Sequence, residues 1–215
     1  MSNDVKKAVF QAIISSEDYL QAFEQLSRLG LKKTQQREII RVLFHCCLSE
    51  KSFNAFYALL CQRFIKFDPT NYRYTVKYAI WDYLKGLDTL SIKKVVNLSR
   101  LCGFLLAHED IPLHFLKVID FSSNALTKPT VLFLHLLLQA VLNEAADEDK
   151  LRTVFVKGLR DEGQKNASFV TGLAKFVLGK FYKRLSKQYV STKMPKELQA
   201  KLMALMKSLK SLQTD

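Results

Sequence analysis

Glycine and proline are scarce in this chain of 215 residues, which has 7 Gly and 4 Pro. Sheets joined by tight turns need many such residues, so the scarcity disfavours a turn-dense all-β architecture. Long hydrophobic runs are missing as well. The most apolar stretch, VLFLHLLLQAVL at residues 131–142, contains His135 and Gln139. It is too short and too polar to span a bilayer, and we predict a buried helix there.

Sequence motifs of the common enzyme classes are also missing. The chain has no glycine-rich phosphate loop, no G-x-S-x-G and no H-E-x-x-H. Its acidic residues are too scattered to predict a catalytic pair of carboxylates. We therefore predict that the chain is not an enzyme, and we predict no cofactor and no small-molecule substrate.

Three of the four cysteines lie with a histidine in residues 45–61, HCCLSEKSFNAFYALLC. Successive helical residues point about 100° apart, so His45, Cys46 and Cys47 cannot all face one ion. The C-x2-C and H-x3-H spacings of local zinc sites are absent. We predict no metal site and no catalytic thiol, with Cys46, Cys47 and Cys61 in the core and His45 on the exposed face. With no signal-peptide pattern at the N-terminus, free thiols in a reducing compartment are expected.

Apolar residues recur at helical spacing along most of the chain, with stop signals every ten to twenty residues. Antiparallel pairs of about 35 to 45 residues are typical of a helical-repeat solenoid. We predict an all-α fold of helical hairpins stacked as a HEAT-like or ARM-like solenoid, with extra C-terminal helices. The S-x-x-D pattern of residues 15–18 predicts a capping box that starts the second helix. The predicted helices cover about residues 4–14, 15–30, 34–48, 53–67, 70–86, 91–107, 112–119, 129–145, 147–160 and 167–187, and a last helix starts near Pro195.

The fourth and fifth predicted helices carry many aromatic residues. In YRYTVKYAIWDYLK, residues 72–85, basic and aromatic side chains alternate, which is compatible either with base stacking or with core packing. Helical periodicity favours core packing between neighbouring helices, with Lys77 and Lys85 reaching solvent. The residues predicted to form the structural core are Cys46, Cys47, Phe53, Phe56, Tyr57, Leu60, Cys61 and Trp81.

The formal charge of +13 is concentrated in the C-terminal third of the chain. Residues 151–215 carry 14 Lys/Arg against 4 Asp/Glu, whereas residues 91–150 carry 6 against 7. A polyanion such as RNA is a natural partner for such a segment, and a merely solvated basic face is the alternative. The candidate RNA-binding residues, which lie on or beside one face of a predicted helix, are Lys175, Lys180, Lys183, Arg184 and Lys187.

Leucines repeat at steps of four and three in the last predicted helix, as in a heptad seam. Two interpretations stay open. The helix either folds back onto the end of the solenoid, or it presents its seam to a partner protein. The seam residues are Leu198, Leu202, Leu205, Leu209 and Leu212.

Three blocks resemble a known family: residues 4–31 (DVKKAVFQAIISSEDYLQAFEQLSRLGL), 37–64 (REIIRVLFHCCLSEKSFNAFYALLCQRF) and 74–87 (YTVKYAIWDYLKGL). They look like an MA-3 domain, the helical module also found in initiation factor 4G and programmed cell death protein 4. The resemblance is strongest to nucleolar proteins in which a middle domain of initiation factor 4G precedes the module. Ala55 replaces an expected proline and Phe53 a usual tyrosine. Splicing factors with the same two-domain layout are a weaker match.

The resemblance implies a non-catalytic scaffold that binds a DEAD-box RNA helicase of the initiation factor 4A type or ribosome assembly factors. It also implies a nuclear and nucleolar location and a part in small-subunit pre-rRNA maturation. An adaptor in splicing or translation control that binds only protein is the alternative. We expect an MA-3 domain over residues 1–120, a helical extension over 121–190 and a basic amphipathic helix or tail over 191–215. The missing companion domain leads us to expect an excised C-terminal part of a longer protein.

Overall fold

The computed structural model of the chain describes residues 3–121, 126–157, 167–189, 192 and 194–214, and no strand occurs among them. Six helices form the N-terminal half, and each of them lies within a few residues of its predicted position. They are α1 (Asn3–Ile14), α2 (Tyr19–Arg28), α3 (Lys33–Ser49), α4 (Ala55–Phe67), α5 (Pro69–Lys85) and α6 (Ile92–Ala107).

Among the described residues of the C-terminal half, four further α-helices follow. Helix α9 is continuous but contains a π-helical turn, Val177–Phe181, and a second π-helical turn, Thr153–Lys157, extends α8. The bounds are α7 (Lys128–Glu144), α8 (Glu148–Arg152), α9 (Ala167–Phe176, then the π-turn, then Tyr182–Gln188) and α10 (Lys196–Thr214). The end of the helix predicted over 147–160 lies outside the described residues.

The predicted all-α, HEAT-like stack of hairpins is confirmed. Helix α1 packs on α2 and α3, α2 on α4, and α3 on α4, α5 and α6. Helices α3 and α5 run in the same direction, as two contacts between their side chains show. One contact joins the starts of the two helices, and the other joins them near their ends. Asn71 donates to Gln36 at 3.1 Å, and the rings of Phe44 and Tyr83 stack 6.0 Å apart.

Two local predictions need correction. The segment predicted as a helix over 112–119 is a 3₁₀ helix, Leu113–Val118. Its hydrogen bonds run from residue i to residue i+3, and such helices occur as short segments like this one of six residues. The second helix starts on Asp18 rather than on a serine of the predicted capping box. The Asp18 carboxylate accepts from the backbone N–H groups of Leu20 and Gln21, while Ser16 donates to the Ala12 carbonyl of the preceding helix.

A buried asparagine ties α6 to the end of α3. The Asn97 amide donates to the backbone carbonyls of Cys47 and Glu50, both at 3.0 Å. Lys93, one turn earlier, donates to the carbonyl of Ser49. These carbonyls lie at the C-terminal end of a helix, where no intrahelical N–H is available. The third hairpin is therefore joined to the second by hydrogen bonds as well as by apolar packing.

Helix α6 lies in the middle of the molecule and packs along α7. Every residue from Leu101 to Ala107 is buried. A Cβ on Gly103 would come within 2.5 Å of the Ala140 Cβ and 3.0 Å of the Leu137 carbonyl oxygen. The absence of a side chain at Gly103 thus lets the two helices approach closely. Helix α7 is the predicted buried helix, and in the described part of the chain no helix has the length and apolarity to cross a bilayer.

The buried histidine of α7 has no polar partner for one ring nitrogen. His135 lies with its ring 5.2 Å from that of Phe181, and among the described residues nothing forms a hydrogen bond with its Nδ1. Burial, with a smaller contribution from Arg184, lowers the pKa of His135 to about 4. The imidazole is therefore neutral in the folded chain at neutral pH.

We predict that Gly103→Ala lowers the free energy of unfolding by about 1 to 3 kcal/mol, because the added methyl overpacks the α6–α7 contact. Adding Ala140→Gly should restore part of the loss, since only the Leu137 backbone contact then remains. Gly179→Ala is the matched control. Nothing lies within 4 Å of its Cβ position, and Ala should stabilise the helix by about 0.5 to 1 kcal/mol. Urea unfolding measures the free energy of unfolding of the three variants. Equal effects of Gly103→Ala and Gly179→Ala would contradict the close approach of α6 and α7.

We predict that stability declines as the pH falls from about 6.5 to about 4. The unfolded His135 takes up its proton near pH 6.5 and the folded one only near 4, so protonation favours the unfolded state across that window. The loss attributable to this residue is at most about 3 kcal/mol. His135→Leu should remove that part of the decline. Urea unfolding at several pH values measures it, and identical pH profiles for both chains would contradict the assignment.

Candidate interaction surfaces

The cysteine cluster is part of the core. Cys46 and Cys47 on α3, Cys61 on α4 and Cys102 on α6 are free and buried, and His45 is exposed. Burial, assisted by the charge of Glu50, raises the pKa of Cys46 to about 11 and that of Cys47 to about 12. Burial also raises the pKa values of Cys61 and Cys102 well above the ordinary thiol value. Within the described residues, no group of three or more His, Cys, Asp or Glu side chains is arranged to hold a metal ion.

The other predicted core residues are buried to different degrees. Tyr57 and Leu60 are buried, and the Tyr57 hydroxyl donates to Glu50 at 2.7 Å across the α3–α4 turn. Phe53 and Phe56 are half-buried and pack against the core. Trp81 lies at the edge of the core and not inside it. Its indole N–H donates to the Phe115 carbonyl at 2.8 Å, and its ring face remains near the surface.

The five predicted RNA-contacting cations all lie on the exposed side of α9, whose opposite side is buried through residues such as Leu173, Val177, Phe181 and Leu185. We call these cations the α9 basic strip: Lys175, Lys180, Lys183, Arg184 and Lys187.

The π-helical turn of α9 affects how this strip is arranged. A π-turn closes i→i+5 hydrogen bonds and holds more residues per turn than an α-turn, so each residue advances less around the axis. The turn lies between Lys175 and the three cations from Lys183 onward. It therefore rotates those three back toward the side that carries Lys175. The sequence contains no obvious signal for this turn.

The leucine seam of α10 faces the chain's own helices. Leu202, Leu205 and Leu209 are buried, Leu198 is half-buried, and the side chain of Leu212 lies outside the described residues. Helix α10 packs on α7, α8 and α9. Of the two interpretations left open by the sequence, the structure has the helix folded back on the end of the stack. The three buried leucines are not accessible to a partner in this arrangement.

Helix α5 departs most from its sequence-based prediction. Val76 and Ile80 are buried, as core packing requires, but Tyr74 and Tyr78 are 58% and 55% exposed. The predicted core packing of this helix between neighbouring helices is therefore wrong for the side that carries Tyr74 and Tyr78. The 3₁₀ segment contacts α5 through the hydrogen bond of Trp81 to Phe115, and its Leu113 and His114 line a hollow with Tyr74, but both tyrosines stay more than half exposed.

A groove of about 830 Å³ lies between this exposed side of α5 and the start of α3. Its α3 wall consists of Lys33, Arg37 and Arg41, and its α5 wall includes Tyr74 and Tyr78. We call it the α3–α5 groove. The four-residue spacing of the cations is visible in the sequence. What the sequence does not reveal is that the two tyrosines stand opposite them.

Comparison with known proteins identifies the family. The MA3 domain family matches residues 5–112, from α1 to just past α6. The chain belongs to the MA3 domain family. The boundaries agree with the three quoted sequence blocks and with the six helices that form the N-terminal stack.

The MA3 chain is similar to several curated proteins. It is 42% identical over 149 residues to the mouse protein called nucleolar MIF4G domain-containing protein 1, covering 69% of this chain and 17% of the relative. It is 30% identical to suppressor of glycerol defect protein 1 of Schizosaccharomyces pombe, covering 56% and 16%. It is 21% identical to pre-mRNA-splicing factor cwc22 of Emericella nidulans, covering 77% and 20%. The chain thus spans about a fifth or less of the length of these relatives.

We predict that no cysteine of the folded MA3 chain reacts with a disulfide reagent faster than unfolding exposes it. The reactive form of a thiol is the thiolate, and burial with raised pKa values disfavours it at all four positions. Absorbance after adding Ellman's reagent measures the reaction, with the chain in concentrated guanidinium chloride as the control that titrates four thiols. A native thiol that reacts at the rate of free cysteine would contradict the burial.

Proposed function

We propose that this MA3 chain is part of a non-catalytic adaptor in nucleolar small-subunit ribosome biogenesis. It binds a DEAD-box RNA helicase of the initiation factor 4A type, ribosome assembly factors or both, and it contacts pre-rRNA through the basic C-terminal third. Its location is the nucleus, and within it the nucleolus. The principal support is the 42% identity to a relative whose name places it in the nucleolus, together with the family match.

The shape of the molecule supports an adaptor role. Stacked helical hairpins present extended surfaces, and such solenoids bind partners along them. Two of the buried polar groups form hydrogen bonds that join helices: Asn97 donates to the carbonyls at the end of α3, and the Asp110 carboxylate accepts from Gln62 at 2.6 Å. The buried thiols have raised pKa values, which makes them poor nucleophiles.

The charge distribution supports the RNA contact. All five cations of the α9 basic strip are exposed, and no ion pair among the described residues involves any of them. Exposed cations on one side of a helix attract a phosphate backbone, and their neutralisation by phosphates releases counterions. The binding should therefore be electrostatic and largely independent of base sequence.

We predict that neutralising Lys180, Lys183, Arg184 and Lys187 to Gln lowers the salt dependence of RNA affinity. On a single strand, each phosphate contact contributes about 0.7 to the magnitude of the slope of log affinity against log salt concentration. Removing four contacts should therefore lower that magnitude by about 3. Fluorescence anisotropy with a single-stranded pre-rRNA fragment at several salt concentrations measures it. The matched control neutralises four exposed cations elsewhere, Lys7, Lys51, Arg100 and Lys128. An equal change in both variants, or no change in either, would contradict the RNA contact.

The helicase contact has a separate readout in the same preparation. Purified DEAD-box helicase of the initiation factor 4A type should be retained by the immobilised chain and by both neutralised variants. Retention without measurable RNA affinity at physiological salt would favour the alternative, an adaptor in splicing or translation control that binds only protein. That alternative draws its support from the similarity to a splicing factor. Failure of the helicase and of assembly factors to bind would overturn the adaptor proposal.

A further inference from the structure

The α3–α5 groove combines two chemical features on opposite walls. Lys33, Arg37 and Arg41 follow one another at four-residue steps on α3, and Tyr74 and Tyr78 are separated by one such step on α5. Four helical residues correspond to about 6 Å along the axis. Because the two helices run in the same direction, the row of cations and the row of rings are parallel and have the same spacing.

The cations of the groove are largely available to a ligand. Arg41 pairs with the buried carboxylate of Glu38 at 2.7 Å, but among the described residues no ion pair involves Lys33 or Arg37. Two carboxylates also line the groove. Asp68 accepts from the backbone N–H of Asn71 at the start of α5, and Asp82 lies toward the other end. The positive charge therefore exceeds the negative charge, and Asp82 is the one carboxylate that opposes an anion there without a capping role.

The exposed rings share contacts with one ammonium group, and Tyr78 also contacts Trp81. Lys77 places its ammonium group 4.9 Å from the ring centre of Tyr74, 5.3 Å from that of Tyr78 and 5.1 Å from that of Trp81. Tyr78 and Trp81 meet edge to face with ring centres 5.6 Å apart. Trp81 is itself fixed by its hydrogen bond to Phe115. The side chain of Lys77 thus contacts both tyrosines of the groove. Arg73 and Lys117 lie nearby, so six positively charged residues surround the two rings when the three on α3 are included.

Tyr74 also lines a second hollow, of about 610 Å³, on the other side of α5, with Arg73, Lys77 and Pro112. The Tyr74 side chain therefore borders both hollows, and the Lys77 ammonium group lies over its ring. The acidic residue of the second hollow, Glu109, is engaged by Lys150 of α8.

We propose that the α3–α5 groove binds single-stranded RNA, with successive bases stacking on Tyr74 and Tyr78 and the phosphates lying along Lys33, Arg37 and Arg41. Proteins that bind single strands without sequence preference combine these two features, a basic groove and aromatic platforms. A duplex would present only its phosphates, since its bases are stacked internally, and would leave the rings unused. This site is distinct from the α9 basic strip and does not depend on it.

An acidic peptide is the competing occupant, because it would also be attracted to the α3 wall. It offers carboxylates to the cations but nothing flat to the two rings. The rings are the larger part of the exposed apolar surface of α5, so the occupant that uses both walls is favoured. Base-dependent binding separates the two possibilities.

To isolate the groove, residues 180, 183, 184 and 187 of the α9 basic strip are replaced by Gln in the whole chain. We predict that an oligouridylate of about ten nucleotides still binds this variant. In that background, Tyr74→Ala and Tyr78→Ala should each weaken binding about tenfold, because each removes one stacking platform. Tyr74→Phe and Tyr78→Phe keep the rings and should leave affinity nearly unchanged. Phe10→Ala, at an exposed aromatic residue of α1, is the control outside the groove. Fluorescence anisotropy measures all of them.

Two further ligands decide between base stacking and charge alone. An abasic strand of equal length should bind more weakly, and its affinity should not respond to the alanine variants. A decaglutamate peptide should not compete at concentrations equal to the oligonucleotide. Asp82→Asn should raise RNA affinity about twofold by removing an opposing charge. Both Tyr and all substituted residues are exposed, so circular dichroism should show an unchanged fold.

The proposal is overturned if the oligouridylate does not bind the chain with the substituted α9 basic strip, or if the abasic strand binds as tightly as the oligouridylate. It is also overturned if decaglutamate displaces the oligouridylate, or if the alanine and phenylalanine variants behave alike. These outcomes leave the test of the α9 basic strip unaffected, because that test depends on the salt slope of variants with an intact groove. Failure of either site can therefore be recognised separately.

Discussion

The close approach of α6 and α7 at Gly103 is the contact on which the arrangement of the whole molecule depends. Helix α6 is the last helix of the MA3 match, and α7 is the first helix beyond it. Because a Cβ at Gly103 would collide with Ala140, only glycine lets the buried faces of both helices meet. On its other side α6 binds the end of α3 through Asn97. One helix thus couples the N-terminal hairpins to the C-terminal helices.

The packing of α6 against both α3 and α7 determines where the α9 basic strip and the α3–α5 groove lie. Helix α9 packs its apolar side inward, and α10 covers the end of the stack with its leucines. The α9 basic strip is therefore held outward on a packed helix and does not belong to a loose tail. The α3–α5 groove lies in the N-terminal stack, where the direction of two hairpins brings cations of one helix opposite tyrosines of another. Each surface results from a different part of the packing.

Much of this fold could be predicted from the sequence, because the stop signals and the helical periodicity are strong and local. Helix α7 follows from its apolar run, and the burial of Cys46, Cys47 and Cys61 follows from the faces they share with Ile39, Ile40 and Phe64. Periodicity also placed the five cations of the α9 basic strip on or beside one face. The family resemblance was carried by the same N-terminal hairpins.

The remaining features depend on which helices become neighbours, and periodicity contains no information about that. Tyr74 and Tyr78 have the spacing of core residues, yet the packing of the neighbouring helices leaves both more than half exposed. Gly103 looks like an ordinary residue of a helix until α7 is placed against it. Asn97 looks like a polar residue on a helix surface until the end of α3 lies beside it. Such residues gain their roles from tertiary contacts separated by about 35 to 50 positions in the chain.

The central claim is that a packed helical scaffold presents two separate RNA-facing surfaces. Ultraviolet cross-linking of the full-length protein to a single-stranded pre-rRNA fragment, with the cross-linked residues mapped by mass spectrometry, tests it most directly. The account predicts two groups of cross-links, one at Tyr74 and Tyr78 and one within residues 175–187. Cross-links confined to other faces, such as α1 and α2, or the absence of cross-links from this chain would contradict it.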